Sequence, residues 1–245
     1  MYRFFTDQSN ISGNDIYITG SDYNHIRNVL RMKPGEVVSV SDGETEKEYR
    51  CHIEGFEEEK VHLRLDFIKE ADVELPVRVT LFQGLPKSDK MDYIIEKCTE
   101  LGVSEVIPVR TSRSVMKLDE KKAGKRTEHW QGKAEAAAKQ SKRSMIPVVH
   151  EPVSMAEAVK MCGELDNRLI PYELSEGFEK TREMISNIKP GSTVGIFIGP
   201  EGGFSEEEIA LAESAGVMPV TLGKRILRTE TAGMVVLSWL VYIFE

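Results

Sequence analysis

The sequence predicts an α/β protein: a largely parallel sheet with helices on both faces, preceded by a smaller β-rich module. Three observations carry that prediction. From residue 77 onward, short runs of strand-forming residues alternate with segments of helical period, the pattern of a parallel sheet covered on both sides. Before residue 67 the strand-like runs follow one another through turn residues, with one helical segment among them. A charged stretch at 69–74 closed by Pro76 separates the two regimes, so residues 1–72 and 73–245 are expected to form separate domains.

In the first part, residues 2–5 and 15–18 read as short strands, and Ser21 as the N-cap of a helix stopped by Lys33-Pro34-Gly35. Residues 37–41 alternate into a turn at Asp42-Gly43, and 48–54 return as the partner strand. Val61, Leu63 and Leu65 put one apolar face on a strand over 61–66. In the second part, strands are expected at 77–82, 103–109, 147–150, 168–172, 193–199 and 217–222. Helices are expected at 88–102, 121–142, 154–162, 176–187, 205–215 and 229–244; Ile94, Ile95, Cys98 and Leu101 form the apolar stripe of the first. Ser205 and Glu208 open the 205–215 helix as a capping box. The 229–244 helix has few polar positions, which fits burial by a partner subunit or a central place in the core.

No apolar stretch reaches the ~20 residues of a membrane span, and the N-terminal residues lack the apolar segment of a secretory signal. Cys51, Cys98 and Cys162 are far apart and odd in number, neither a zinc pattern nor a disulfide framework, which points to the reducing cytoplasm. A net charge of −8 argues at first against a polyanionic partner, but the charge is unevenly spread. Residues 1–75 and 151–245 are each −7, while 76–150 are +6, with 11 basic and 4 acidic residues from Arg110 to Arg143. That stretch is either a solvated helix face or a positive surface that docks a phosphate backbone with salt-dependent affinity.

Two glycine-bearing loops stand out near the C-terminus. Gly199-Pro200-Glu201-Gly202-Gly203 ends a strand and feeds the helix at Ser205, whose N-terminus carries roughly half a positive charge. The loop is a glycine-relieved turn or an anion site; it lacks the Lys-Ser/Thr pair of a phosphate loop and the three-glycine dinucleotide spacing. Gly223-Lys224-Arg225-Ile226-Leu227-Arg228 places three cations before the last helix, for which Thr229 or Thr231 is the expected N-cap. Ile226 and Leu227 either sandwich an aromatic ring such as adenine or plug a core edge. Arg228 either steadies negative charge developing on a substrate oxygen or pairs with Glu230. With no metal ligands and no nucleophile beside a base, the loops fit a cofactor that brings its own reactivity.

These loops belong to a longer pattern: Arg3-Phe4-Phe5, His25 with Val29-Leu30-Arg31, Lys97 with Glu100-Leu101-Gly102-Val103, Gln140-Ser141 with Arg143, Ile198 to Gly203, and Leu222-Gly223 with Leu227-Arg228-Thr231-Ala232. In it the chain resembles the SPOUT-class RNA methyltransferases and, over essentially its whole length, the ribosomal RNA small subunit methyltransferase E family. The last two blocks are the specific ones. The resemblance implies a PUA-like RNA-binding β-barrel over 1–72 and a SPOUT domain over 73–245 with a deep trefoil knot, a rare exception to unthreaded connections. It implies a homodimer that transfers a methyl group from S-adenosyl-L-methionine to N3 of a uridine in 16S rRNA within the small ribosomal subunit.

Cofactor contacts are then expected at Tyr172, Ile198, Gly199, Pro200, Glu201, Gly203, Leu222, Gly223, Ile226, Leu227, Arg228, Thr231 and Ala232. Arg228 is the expected catalytic residue, with Glu201 (as a base or as a cap of loop backbone) and Arg3 as further candidates. RNA contacts are expected at Arg3, His25 (or a packing role), Arg31, Arg110, Arg113, Lys139 and Arg143; no metal site is expected. The competing readings are a non-catalytic RNA-binding protein, a nucleotide-dependent enzyme with phosphate at the first loop, and a methyltransferase acting on another RNA.

Overall fold

The structure, a computed structural model, describes residues 1–70, 72–116, 120–172 and 177–245. The chain divides into two compact units, one of residues 1–74 with 138–146, the other of 75–137 with 147–245.

The first unit holds β1 (Arg3–Phe5), β2 (Ile11–Ser12), β3 (Asp15–Ile18), α1 (Gly20–Asn24), β4 (Val37–Ser41), β5 (Lys47–Glu57) and β6 (Lys60–Glu70). The sheet runs β1-β4-β5-β6-β3-β2, antiparallel except for β1 against β4. Register shifts at Arg50/Cys51 and Ile53/Gly55 bend β5. The result is a half-barrel, because the end strands β1 and β2 do not pair with each other among the described residues. Ile16, Ile18, Val38, Val40, Ile53, Val61 and Leu63 fill its inside. Thr19 rather than Ser21 occupies the N-cap position of α1, with no side-chain bond, since Gly20 already turns the chain at φ +64°. It runs into a π-helical turn, His25–Val29, that drives Ile26 into the core.

The second unit holds β7 (Arg78–Gly84), α2 (Lys90–Glu100), β8 (Glu105–Arg110), α3 (Glu120–Ser141, its residues from Ala138 belonging to the first unit), β9 (Val148–Val149), β10 (Val153–Ser154), α4 (Met155–Cys162), β11 (Asn167–Pro171), α5 (Phe178–Ser186), β12 (Thr193–Ile198), α6 (Glu206–Ser214), β13 (Met218–Val220) and α7 (Thr229–Phe244). Every pairing is parallel, in the order β10-β8-β7-β12-β11-β13, with β9 also on β8. Side chains alternate across the sheet, so Leu81 and Ile196 enter a core with α2 and α7, while Phe82 and Phe197 stack at 4.6 Å in the opposite core with α4 and α6. Burial on both faces is why these strands read as continuous apolar runs. The Ser205/Glu208 capping box forms as expected, and Ser154/Glu157 make a second. After β13, at the sheet edge, α7 returns to pack against β12, α2 and α5. Glu176, where α5 was expected to begin, lies outside the described residues.

Candidate functional site

In an open parallel sheet, ligands gather where the carboxyl ends of the strands present their loops. Here β12 delivers residues 199–204, β11 delivers Tyr172, and β13 delivers 221–228, all lining one cavity of about 890 Å³. Of the expected cofactor residues, Tyr172, Ile198, Gly199, Pro200, Glu201, Gly203, Leu222, Gly223, Ile226, Leu227, Arg228 and Ala232 lie in that lining. Thr231 does not; on the first turn of α7 its side chain points about 100° away from that of Ala232.

Close approach explains Gly84 and Gly199. A Cβ on Gly84, at the end of β7, would sit 2.6 Å from Pro200 Cδ and 2.7 Å from its nitrogen; one on Gly199 would sit 3.1 Å from Gly203 Cα. The backbone of the first loop is therefore folded on itself and laid directly on β7. The second loop is tied to it by a hydroxyl: Thr229 Oγ1 donates to Gly199 O at 2.6 Å and accepts from Gln83 Nε2 at 2.9 Å. This corrects the expected cap. Arg228 occupies the N-cap position of α7 with no side-chain bond, because the Thr229 hydroxyl is spent on the other loop.

Glu201 accepts from the Lys87 backbone N–H at 3.1 Å and pairs with Lys90 Nζ at 3.0 Å; Lys90 also reaches Glu230 at 3.3 Å. Burial pushes the Glu201 carboxyl up, but backbone N–H donors and the Lys90 ammonium outweigh it and hold the group below its ordinary range. The Lys90 ammonium is pushed up in turn, by Glu201 first and Glu230 second. A carboxylate held ionised and committed to an ammonium is a poor proton acceptor, so the geometry suits an anchor of the loop rather than a base. Arg228 differs: its side chain is 82 % exposed and its nearest carboxylate, Glu230, is 3.9 Å away. Ile226 is 86 % exposed and plugs nothing, whereas Leu227 packs against the core.

Among the expected RNA contacts in this unit, Arg110 is exposed at the end of β8, but Arg113 lines the cavity and donates to Gly202 O at 2.9 Å. The basic face of α3 is partly neutralised by α2: His129 and Lys133 meet Asp92 at 2.7 and 3.6 Å, and Arg126 meets Asp89 at 3.8 Å.

In the first unit, His25 and Arg31 are exposed, His25 standing edge-on to Phe4. Lys139 pairs with Asp22 at 2.9 Å. Arg3 and Arg143 are not surface cations, contrary to expectation. Arg3 is buried against Glu48 at 2.7 Å and donates to Ser144 Oγ and Lys142 O. Arg143 donates through Nε and Nη2 to Glu74 Oε2 at 3.0 and 2.6 Å, while the Ser144 and Met145 backbone N–H groups donate to Glu74 Oε1. Sequence reasoning missed Gln83 and Lys90, which carry no local motif and meet Thr229, Glu201 and Glu230 more than 100 residues further along the chain.

Comparison with known proteins agrees with this geometry. Residues 73–241 match the model of the RNA methyltransferase domain, and 18–66 match that of the RNA methyltransferase PUA domain. A relative from Bacillus subtilis, named ribosomal RNA small subunit methyltransferase E, is 36 % identical, covering 100 % of this chain and 98 % of its own. A relative of the same name from Synechocystis is 33 % identical, covering 100 % and 78 %. The crystal structure of a ribosomal RNA small subunit methyltransferase E from Neisseria gonorrhoeae, bound to S-adenosylmethionine, superposes with a TM-score of 0.87 at 30 % identity over 100 % of this chain and 98 % of that one. A Legionella pneumophila structure with the same cofactor bound gives 0.86 at 31 % identity, over 98 % and 97 %. In sequence, in both domain models and in fold, the chain belongs to the ribosomal RNA small subunit methyltransferase E family.

Proposed function

We propose that this protein transfers a methyl group from S-adenosyl-L-methionine to N3 of a uridine in 16S rRNA, acting in the cytoplasm as a homodimer on the small ribosomal subunit. The observation that carries the reading is that both glycine loops line one cavity and are joined there by the Thr229–Gly199 hydrogen bond. The cavity's size falls in the usual range for a ligand of this size. Its lining of glycine backbone with Ile198, Leu222 and Leu227 suits an adenine held by main chain on its edge and apolar contact on its faces. The residues present therefore fit the methyl donor.

The donor supplies an activated methyl, so the chain's own residues have to align it and raise the nucleophilicity of N3. Arg228, exposed at the cavity, favours the uridine whose N3 proton has passed to water, by charge-assisted hydrogen bonding to O2 or O4. Glu201 and Lys90 hold the loop beneath the donor. Exposed His25, Arg31 and Arg110 contribute RNA contacts, and a stacked uridine has to be turned out to reach the methyl group. Mass-spectrometric mapping of 16S rRNA nucleosides from cells lacking the protein, complemented with wild type or Arg228→Ala, tests the reading. Loss of one N3-methyluridine, restored by wild type and not by the variant, is expected; an unchanged nucleoside profile in the deleted strain refutes it. A purely RNA-binding protein would give no heat on titration with the methyl donor.

A further inference from the structure

We infer that Gln83 is a positioning residue for the methyl-donor site: its buried amide sets the Thr229 hydroxyl, and through it the carbonyl of Gly199. The inference rests on the proposed function and names a residue outside both loops. Gln83 sits near the end of β7, is 0 % exposed, and lies opposite Ile198, the residue before Gly199.

Hydrogen-bond logic fixes its direction. Gln83 Nε2 donates at 2.9 Å to Gly84 O, which can only accept, so the amide oxygen cannot point there. The same nitrogen donates to Thr229 Oγ1 at 2.9 Å. With that oxygen accepting from Gln83, the single Thr229 hydroxyl proton is left for Gly199 O at 2.6 Å. One amide orientation thus sets one hydroxyl orientation and one carbonyl of the cavity lining. Gln83 Oε1 is buried with no hydrogen-bond partner among the described residues. The orphaned acceptor opposes folding and offsets much of what the two Nε2 hydrogen bonds contribute, so the net worth of this glutamine to stability is small.

The test compares Gln83→Met, Thr229→Val and Thr229→Ser with wild type, by thermal unfolding of the ligand-free protein and by calorimetric titration with S-adenosylmethionine and S-adenosylhomocysteine. Gln83→Met and Thr229→Val are expected to bind both about tenfold more weakly, the effect of losing one hydrogen bond. The melting temperature of Gln83→Met is expected not to fall, KM for the donor to rise more than kcat drops, and Thr229→Ser to restore near-wild-type affinity. Unchanged donor affinity in Gln83→Met, or an affinity loss matched by a fall in melting temperature, overturns the inference while the proposed function stands. A wild-type protein that gives no heat with either ligand overturns both.

Discussion

Removing the Arg143 guanidinium should unravel the first unit rather than weaken RNA binding. In Arg143→Met the Glu74 carboxylate, whose side chain is 6 % exposed, would keep, among the described residues, the N–H donors of Ser144 and Met145. Breaking one partner of a buried pair costs about 3–5 kcal/mol because the remaining charge stays desolvated. Against a typical total of about 5–15 kcal/mol, that is roughly a fifth or more of a domain's stability. Hydrogen exchange read by mass spectrometry localises the effect, since amides of β4, β5 and β6 should lose protection while those of β7 and β12 keep theirs. The control is exposed Arg31→Ala, which should change stability by no more than about 0.5 kcal/mol and lower the salt slope of RNA binding by about one. If Arg143→Met keeps native protection and instead lowers the salt slope, the guanidinium works at the surface and the reasoning fails.

Two glycines should respond oppositely to alanine. At Gly84 the new Cβ meets backbone at 2.7 Å, so overpacking of about 1–3 kcal/mol and weaker methyl-donor binding are expected by calorimetry; native affinity would refute the close approach. At Gly233, inside α7, the nearest atoms are Cys98 Sγ at 3.6 Å and Ile198 and Leu81 carbons at 3.7 Å, ordinary contacts. Helix propensity then favours alanine by about 1 kcal/mol, and a lowered melting temperature would contradict this. For Glu201→Gln the sign follows from the pair it breaks. The lowered carboxyl contributes above its ordinary 4.5 and is lost as pH falls through its depressed value, and the raised Lys90 ammonium contributes below 10.5 and is lost as pH rises through its elevated one. Between those limits the variant should weaken donor binding by a constant factor and leave the pH profile of kcat unchanged; a kcat profile that loses a pH-dependent limb present in wild type would make Glu201 the base.

What the sequence revealed was local. The Ser205/Glu208 capping box, the paired apolar strands and both glycine loops are written in neighbouring residues, and the structure places them where their chemistry implies. What stayed hidden depends on partners brought from far away. Gln83 lies one residue past the strand expected at 77–82, and the pairing of β7 with β12 is what sets it opposite Ile198. Arg143 looked like one more cation in a basic stretch, because nothing near it announces Glu74. Thr229 carries a helix-capping residue type, yet a carbonyl 30 positions earlier claims its hydroxyl. The two-residue strands β2 and β10 escaped because they are too short to show a period.

The Thr229 junction also has a kinetic side. Its two hydrogen bonds close chain segments of 30 and 146 residues. Contacts at such sequence separation carry a large loop-closure cost and are slow to form, particularly in parallel sheets. Bonds made after the transition state leave the folding rate untouched and slow unfolding instead. A methyl donor seated across them would accordingly prolong the lifetime of the native state without hastening refolding, and the binding cavity would be among the last features to mature in a newly made chain.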